Sequence, residues 1–234
     1  MPNWVKVITR IYITGPEDKI KEFEDKVIDM SEDSEKTFSF QRISPTPAEL
    51  VNTVSPSPRP TIQKVINRKG EEETVEVYPM FINEWEMKAA AGRGETPPEP
   101  IICNNATPQM CKDLESRFGH SNWYAWNNWN WGTKWDCSES IYNQEDRMLE
   151  FQTAWSCPQE ILLKMSEMFP DLQFNGSYAD EDFGSNAGYI TNGGAYSLDD
   201  LSEEACETAA TLWGHEGYYD DEKKEWVFEG EEDE

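Results

Sequence analysis

The residues with chemical potential in this chain are mostly carboxylates. Among 234 residues, 46 Asp and Glu stand against 20 Lys and Arg, a formal net charge of −26. From Asp199 onward there are fifteen acidic and two basic residues, so half of the net charge, −13, falls in the last thirty-six positions. Such a field repels phosphate backbones and anionic lipid surfaces, and it attracts basic protein surfaces, including the grooves of nucleic-acid enzymes. Solubility alone is the competing explanation. The carboxylates placed to meet a basic partner are Asp199, Asp200, Glu203, Glu204 and Glu207, read as one helix, and Asp220, Asp221, Glu222, Glu231, Glu232, Asp233 and Glu234 in the tail. Trp213, Tyr218, Tyr219 and Trp226 lie between them as candidate apolar anchors, because Trp and Tyr dominate the energetics of protein interfaces.

A second cluster is aromatic. Trp123, Tyr124, Trp126, Trp129, Trp131 and Trp135 crowd into residues 123–135, with Lys134 and Asp136 beside the last Trp. Indole faces can stack a base and an ammonium can meet a phosphate, so Trp129, Trp131, Lys134 and Trp135, with Arg117 as a further cation, form a candidate nucleotide site. The same residues suit a protein interface or plain core packing, and all three readings stay open. Asn127, Asn128 and Asn130 interleave with them, which suits a structured loop.

Catalytic and metal constellations are missing. His120 and His215 each stand alone in sequence. Cys103, Cys111, Cys137, Cys157 and Cys206 are odd in number and never spaced as CxxC, which argues against a disulfide framework or a zinc site. Asp180, Glu181 and Asp182 lack calcium-loop spacing and read as a solvated turn. No P-loop, GxGxxG or HExxH occurs. The expectation is a protein that is not an enzyme and holds neither metal nor cofactor. No apolar run approaches the roughly 20 residues that span a bilayer. The first fifteen residues read as a strand rather than a leader, so a soluble, cytoplasmic protein is expected.

The elements that would position these groups follow from periodicity. Residues 5–13 alternate with period two, a strand. Ile20, Phe23, Val27 and Met30 form one helical stripe. A short strand is expected over 37–43. Two Pro-rich runs and the loop at 92–100 mark residues 44–105 as an insertion, which holds a hairpin turning at Lys69-Gly70. Thr107 and Pro108 open a helix that Gly119 stops. A strand pair follows over 139–143 and 147–155. A helix opens at Ser156 and Pro158, and two more strands come after it. Ser197 with Asp200 reads as the capping box of a helix carrying Leu198, Leu201, Ala205, Leu212 and Trp213 and ending at Gly214. The tail beyond could fold as a hairpin around Glu222-Lys223-Lys224. The order strand, helix, strand, strand, helix, strand is that of a ferredoxin-like sandwich, an α+β antiparallel sheet with helices on one face. The expected division is a core over 1–194, with its insertion, and an acidic extension over 195–234.

Four stretches carry a family resemblance: MPNW at the start, ISPTPAEL after the expected second strand, WGTKWD at 131–136, and the run from Phe151 to Phe174. Together the chain resembles the YubB-like family, which is borne on phages and plasmids. The resemblance implies a ferredoxin-like domain and a home on mobile elements, and it implies no activity. It covers most of residues 1–192 and leaves the acidic tail after Gly194 outside. Charge and resemblance together lead to one expectation: a mobile-element protein that inhibits a basic, nucleic-acid-handling host defence protein of the CRISPR or restriction kind, with DNA mimicry as the mechanism. A nucleotide-signal sponge built on the Trp-rich segment is the alternative.

Overall fold

In the computed structural model, which describes residues 5–31 and 37–229, the alternating first segment is strand β1 (Lys6–Thr14), and helix α1 (Glu17–Val27) follows it. The insertion holds α2 (Ala48–Val51), strands β2 (Thr61–Ile66) and β3 (Glu72–Val77), and helices α3 (Glu84–Gly92) and α4 (Pro108–Phe118). Helix α5 (Trp123–Trp131) leads to β4 (Ser138–Asn143), β5 (Met148–Ala154), α6 (Gln159–Met168) and β6 (Gln173–Asp180). The chain then forms β7 (Gly188–Thr191), β8 (Gly194–Ser197), α7 (Glu203–Trp213), β9 (Gly217–Asp220) and β10 (Glu225–Phe228).

The chain divides into two compact units, Met1–Pro45 with Asn128–Glu234, and Thr46–Asn127. In the first unit six strands form one sheet in the order β4-β5-β1-β6-β7-β8. Every neighbouring pair is antiparallel. The β4-β5-β1-β6 part, with α1 and α6 as its crossovers, is the ferredoxin-like core, and the β7-β8 hairpin widens the sheet at one edge.

Alternation along β1 dictates the two layers. Val7, Ile11 and Ile13 point to one face, opposite Thr153 and Leu149 of β5 and Phe174 of β6, and all are buried. Helices α1 and α6 cover this face. Phe23 of α1 meets Phe169 at 5.2 Å and Phe174 at 5.7 Å, while Ile161, Leu162 and Met165 of α6 are fully buried. On the other face Ile8 lies opposite Ala179, and both pack with Ala187 and with Ala205, Ala209 and Leu212 of α7. The acidic segment therefore supplies a third helix, on the face that α1 and α6 leave open.

Two expected elements differ. The segment 37–43 makes only an isolated bridge, Phe38 with Ile28, and then a 3-10 turn over Phe40–Arg42. Ser39 stays extended and caps the turn, its Oγ accepting from Gln41 N (3.2 Å), and the Asp136 carboxylate holds the pair by accepting from Ser39 Oγ (2.6 Å) and Phe40 N (2.8 Å). Likewise Ser197 pairs with Gly188 in β8, so it cannot cap a helix. Ser202 caps α7 instead, accepting from Ala205 N at 3.2 Å. Leu201, expected on the helical stripe, precedes the helix at φ 58° and is exposed.

The second unit begins near the expected boundary but continues past 105 to Asn127, taking in α4 and the first half of α5. Thr107 caps α4, Pro108 opens it and Gly119 closes it in left-handed geometry, as their types dictate. Buried amides hold the irregular stretches. Asn105 accepts from Val54 N (2.8 Å) and donates to the Val54 and Ser121 carbonyls (3.1 Å each), satisfying backbone groups that no strand pairs. The β2-β3 hairpin forms a two-stranded sheet and turns at Lys69-Gly70.

Because α7 owes its place to apolar packing on the sheet, Leu212→Ala is expected to destabilise the protein by about 2–4 kcal/mol in urea unfolding. Glu207→Gln, on the exposed side of the same helix, is expected to change stability by less than about 0.5 kcal/mol.

Candidate functional site

Helix α7 displays carboxylates because its two sides do different jobs. Ala205, Ala209 and Leu212 face the sheet, while Glu203, Glu204 and Glu207 are exposed. Glu203 and Glu204 occupy the first turn, where negative charge complements the helix dipole. Asp199 and Asp200, expected on the helix, lie in the turn before it, because Ser202 starts the helix later than the sequence pattern suggested. Asp200 is fixed there by accepting from Asn186 N at 3.1 Å, and Glu204 accepts the Tyr189 hydroxyl hydrogen. All five carboxylates are exposed, three on α7 and two in the segment that leads into it. Residues 165–222 contain fourteen Asp and Glu and neither Lys nor Arg, while Lys224 of the β9-β10 turn lies close enough for its charge to act on Glu203.

The second acidic patch is less uniform. Asp220 builds the β9-β10 turn, accepting from Glu222 N (2.9 Å) and Lys223 N (3.1 Å). Asp221 pairs with Lys224 Nζ at 3.0 Å, and Glu222 is exposed. Glu231, Glu232, Asp233 and Glu234 lie outside the described residues.

Three of the four candidate anchors have internal duties. Trp213 donates its indole N–H to the Asp180 carbonyl (2.8 Å) and packs on the α7 cluster. Trp226 meets Phe183 at 5.6 Å, and Tyr219 donates to the Leu201 carbonyl (3.3 Å), tethering the hairpin to the turn before α7. Tyr218 alone is well exposed.

The Trp-rich segment is a helix, α5, where a loop was expected. Asn122 Oδ1 caps it from Ala125 N (2.9 Å), and Thr53 Oγ1 accepts from Trp123 N (2.9 Å). At its far end Lys164 Nζ donates to Asn130 O (2.9 Å), Asn130 Oδ1 (3.0 Å) and Ser44 Oγ (3.0 Å), and burial holds the Lys164 pKa below the usual ammonium range. The helix sends its indoles in different directions. Trp131 is 1% exposed and donates to the Ser44 carbonyl at 2.8 Å, so it is core. Trp129 is 73% exposed and lines a hollow of about 360 Å³ with Asn128, Gly132, Cys157, Gln159 and Glu160. Trp135 stacks on Trp155 at 5.9 Å, and the Lys134 ammonium lies 3.6 and 3.7 Å from the two ring centroids. Arg117 pairs with Glu49 at 2.5 Å. Within the first unit the expected nucleotide set is divided between core, hollow and the Lys134 cluster. Trp155, which sequence reading missed as a member of the Lys134 cluster, sits just past the end of β5, and only the fold brings it to Trp135.

The Asp180 carboxylate accepts from Asp182 N (2.8 Å) and Asn186 Nδ2 (3.2 Å), shaping its own loop, and burial pushes its pKa up. Among the described residues no group of three or more His, Cys, Asp or Glu is arranged to hold a metal ion. The five cysteines are free thiols, and burial pushes that of Cys157 well up, away from the reactive thiolate.

Comparison with known proteins places one stretch. Residues 130–227 match the family described as the ferredoxin-like domain in Api92-like protein. The match passes Gly194 and includes α7 and β9, so the acidic segment as far as residue 227 lies within the matched domain, beyond the point where the sequence resemblance ended. This agrees with α7 being packed on the sheet. No curated protein and no solved structure matches the chain.

The contact between Tyr189 and Glu204 has a titration signature. The carboxylate acceptor favours the neutral phenol, and the Tyr189 pKa is pushed up to about 12. Glu204→Gln is expected to bring that ionisation back toward pH 10, as read from phenolate absorbance against a Tyr189→Phe control. An unchanged curve would show that the contact is not made in solution.

Proposed function

We propose that this chain is a non-enzymatic mobile-element protein that occupies the basic groove of a nucleic-acid-handling host defence protein of the CRISPR or restriction kind. The observation that carries the reading is the α7 surface. Asp199, Asp200, Glu203, Glu204 and Glu207 are exposed together, on elements held to the sheet by buried contacts. From Glu203 to Glu207 three carboxylates fall within about 6 Å of helix axis, about one per 2–3 Å. Duplex DNA carries about one charge per 1.7 Å, so a Lys/Arg groove meets a comparable linear density. Complementary fields of this kind steer association and select against acidic partners. The resemblance to phage- and plasmid-borne proteins suggests the setting. The cytoplasm of the host cell is the compartment this reading requires.

A nucleotide-signal sponge is the second reading. It is favoured by the exposed Trp129 indole beside its hollow, and weakened by the burial of Trp131. Incubation with cyclic and linear nucleotides separates the possibilities: intact bound nucleotide supports the sponge, and consumed nucleotide overturns the non-enzymatic reading.

Truncation is a poor test of the acidic surface. A cut after Gly194 removes most of β8 and all of α7, uncovering Ile8 and Ala179. Neutralisation in place avoids this. The variant D199N/D200N/E203Q/E204Q/E207Q is expected to capture its partner from host lysate at least tenfold less well than the unaltered protein. Capture by the unaltered protein should also fall steeply between about 50 and 200 mM salt, with a flatter slope for the variant. Equal, salt-insensitive capture by both proteins would sink the electrostatic mechanism.

A further inference from the structure

Among the described residues, the face of the sheet opposite α1 and α6 is only half covered. Helix α7 sits over Ile8 and Ala179. Beyond it, strand register places one row of side chains across all six strands: Ile141, Glu150, Arg10, Ser177, Tyr189 and Tyr196. Tyr12, two residues along β1 from Arg10, belongs to the same face. Ile141 (59%), Tyr12 (47%) and Tyr196 (53%) are all exposed, and so is Tyr189. The one cation in the row, Arg10, is engaged by Glu150 at 2.6 Å. Along one side stands the first turn of α7, with Glu204 bonded to Tyr189 and Glu207 adding its charge at the same phenol.

We propose that this open half-face is the seat for a basic, amphipathic helix of the partner protein, laid across the strands with its apolar side on Ile141, Tyr12 and Tyr196 and its cations toward Glu204 and Glu207. The inference rests on the reading of the α7 surface as partner-binding, and it adds the apolar half of that interface. The anchor residues sought in the acidic tail are largely used internally, whereas the sheet offers Tyr, Ile and Arg in one plane, the residue types that carry energy at interface centres. Six strands at about 4.8 Å spacing make a row about 24 Å long, which about sixteen helical residues would span. Charge decides among occupants. A second copy brings −26 against −26, and a nucleic acid brings phosphates, so both are repelled where a basic helix is attracted.

The test uses the full chain and a synthetic amphipathic Leu/Lys helix of about sixteen residues. A scrambled peptide of the same composition, duplex DNA and the protein alone at high concentration serve as comparisons. The key variant is Ile141→Asp/Tyr196→Asp, which adds negative charge and so strengthens any purely electrostatic attraction while removing the apolar seat. The proposal expects amide shift changes at Arg10, Ser177, Tyr189 and Tyr196 of the unaltered protein, at least tenfold weaker binding of the amphipathic peptide by the variant, and no such loss for the scrambled peptide. Equal or tighter binding of the amphipathic peptide by the variant overturns it. So do shifts confined to other surfaces, DNA-induced shifts on this face, or self-association that the variant abolishes. Mapping on the unaltered protein keeps the test decisive if the variant folds poorly. If the face variant still binds while the α7-neutralised protein does not, the seat is wrong and the acidic reading survives. If neither set of substitutions changes binding, both fail.

Discussion

Strand β1 is the constraint on which the first unit depends. It lies between β5 and β6, and it must be buried along one whole face, Thr9 included, and on the other at Ile8. Val7, Ile11 and Ile13 vanish beneath α1 and α6, while Ile8 vanishes beneath α7. A central strand buried on both faces needs a helix on each, so α7 completes the sheet. The acidity of α7 is then confined to the side that packing leaves free, which turns a compositional bias into a surface with fixed geometry. Past Arg10, no described helix covers this face of the same strand, and Tyr12 is exposed.

Much of this was legible in the sequence, for local reasons. The alternation of β1, the Thr107-Pro108 opening of α4, the Gly119 and Gly214 stops and the Lys69-Gly70 turn are short-range signals, and each element formed where those residues place it. The ferredoxin-like order followed from those elements taken in sequence.

What was not legible depended on distant partners. Helix α5 carries three Asn, all weak helix formers, and holds because Thr53 takes an N–H at one end and Lys164 a carbonyl at the other. No window around residue 127 contains either. The turn after Ser39 takes part of its hold from Asp136, ninety-seven residues on. Capping was misread for a related reason: Ser197 and Ser202 both suit a helix start, and only the pairing of β7 with β8 claims the first. At the candidate site the acidic residues were readable as composition, and so were the helix and the hairpin that carry most of them, but the place of Asp199 and Asp200 in the turn before α7 was not. The Trp cluster was readable as unusual, but not which indoles are buried (Trp126 and Trp131), which is exposed (Trp129) and which is stacked (Trp135).

The cation-free run from Met165 to Glu222 also governs how this molecule can be handled. Trypsin, which cuts after Lys and Arg, has no site between Lys164 and Lys223, and Lys164 is itself half-buried against Asn130 and Ser44. Strands β6 to β9 and helix α7 would therefore leave a digest as one long acidic fragment. Amine-directed cross-linkers would have nothing to grip there. Carboxylate-activating reagents, or tyrosine chemistry at Tyr189, Tyr196 and Tyr218, are the labels this surface accepts.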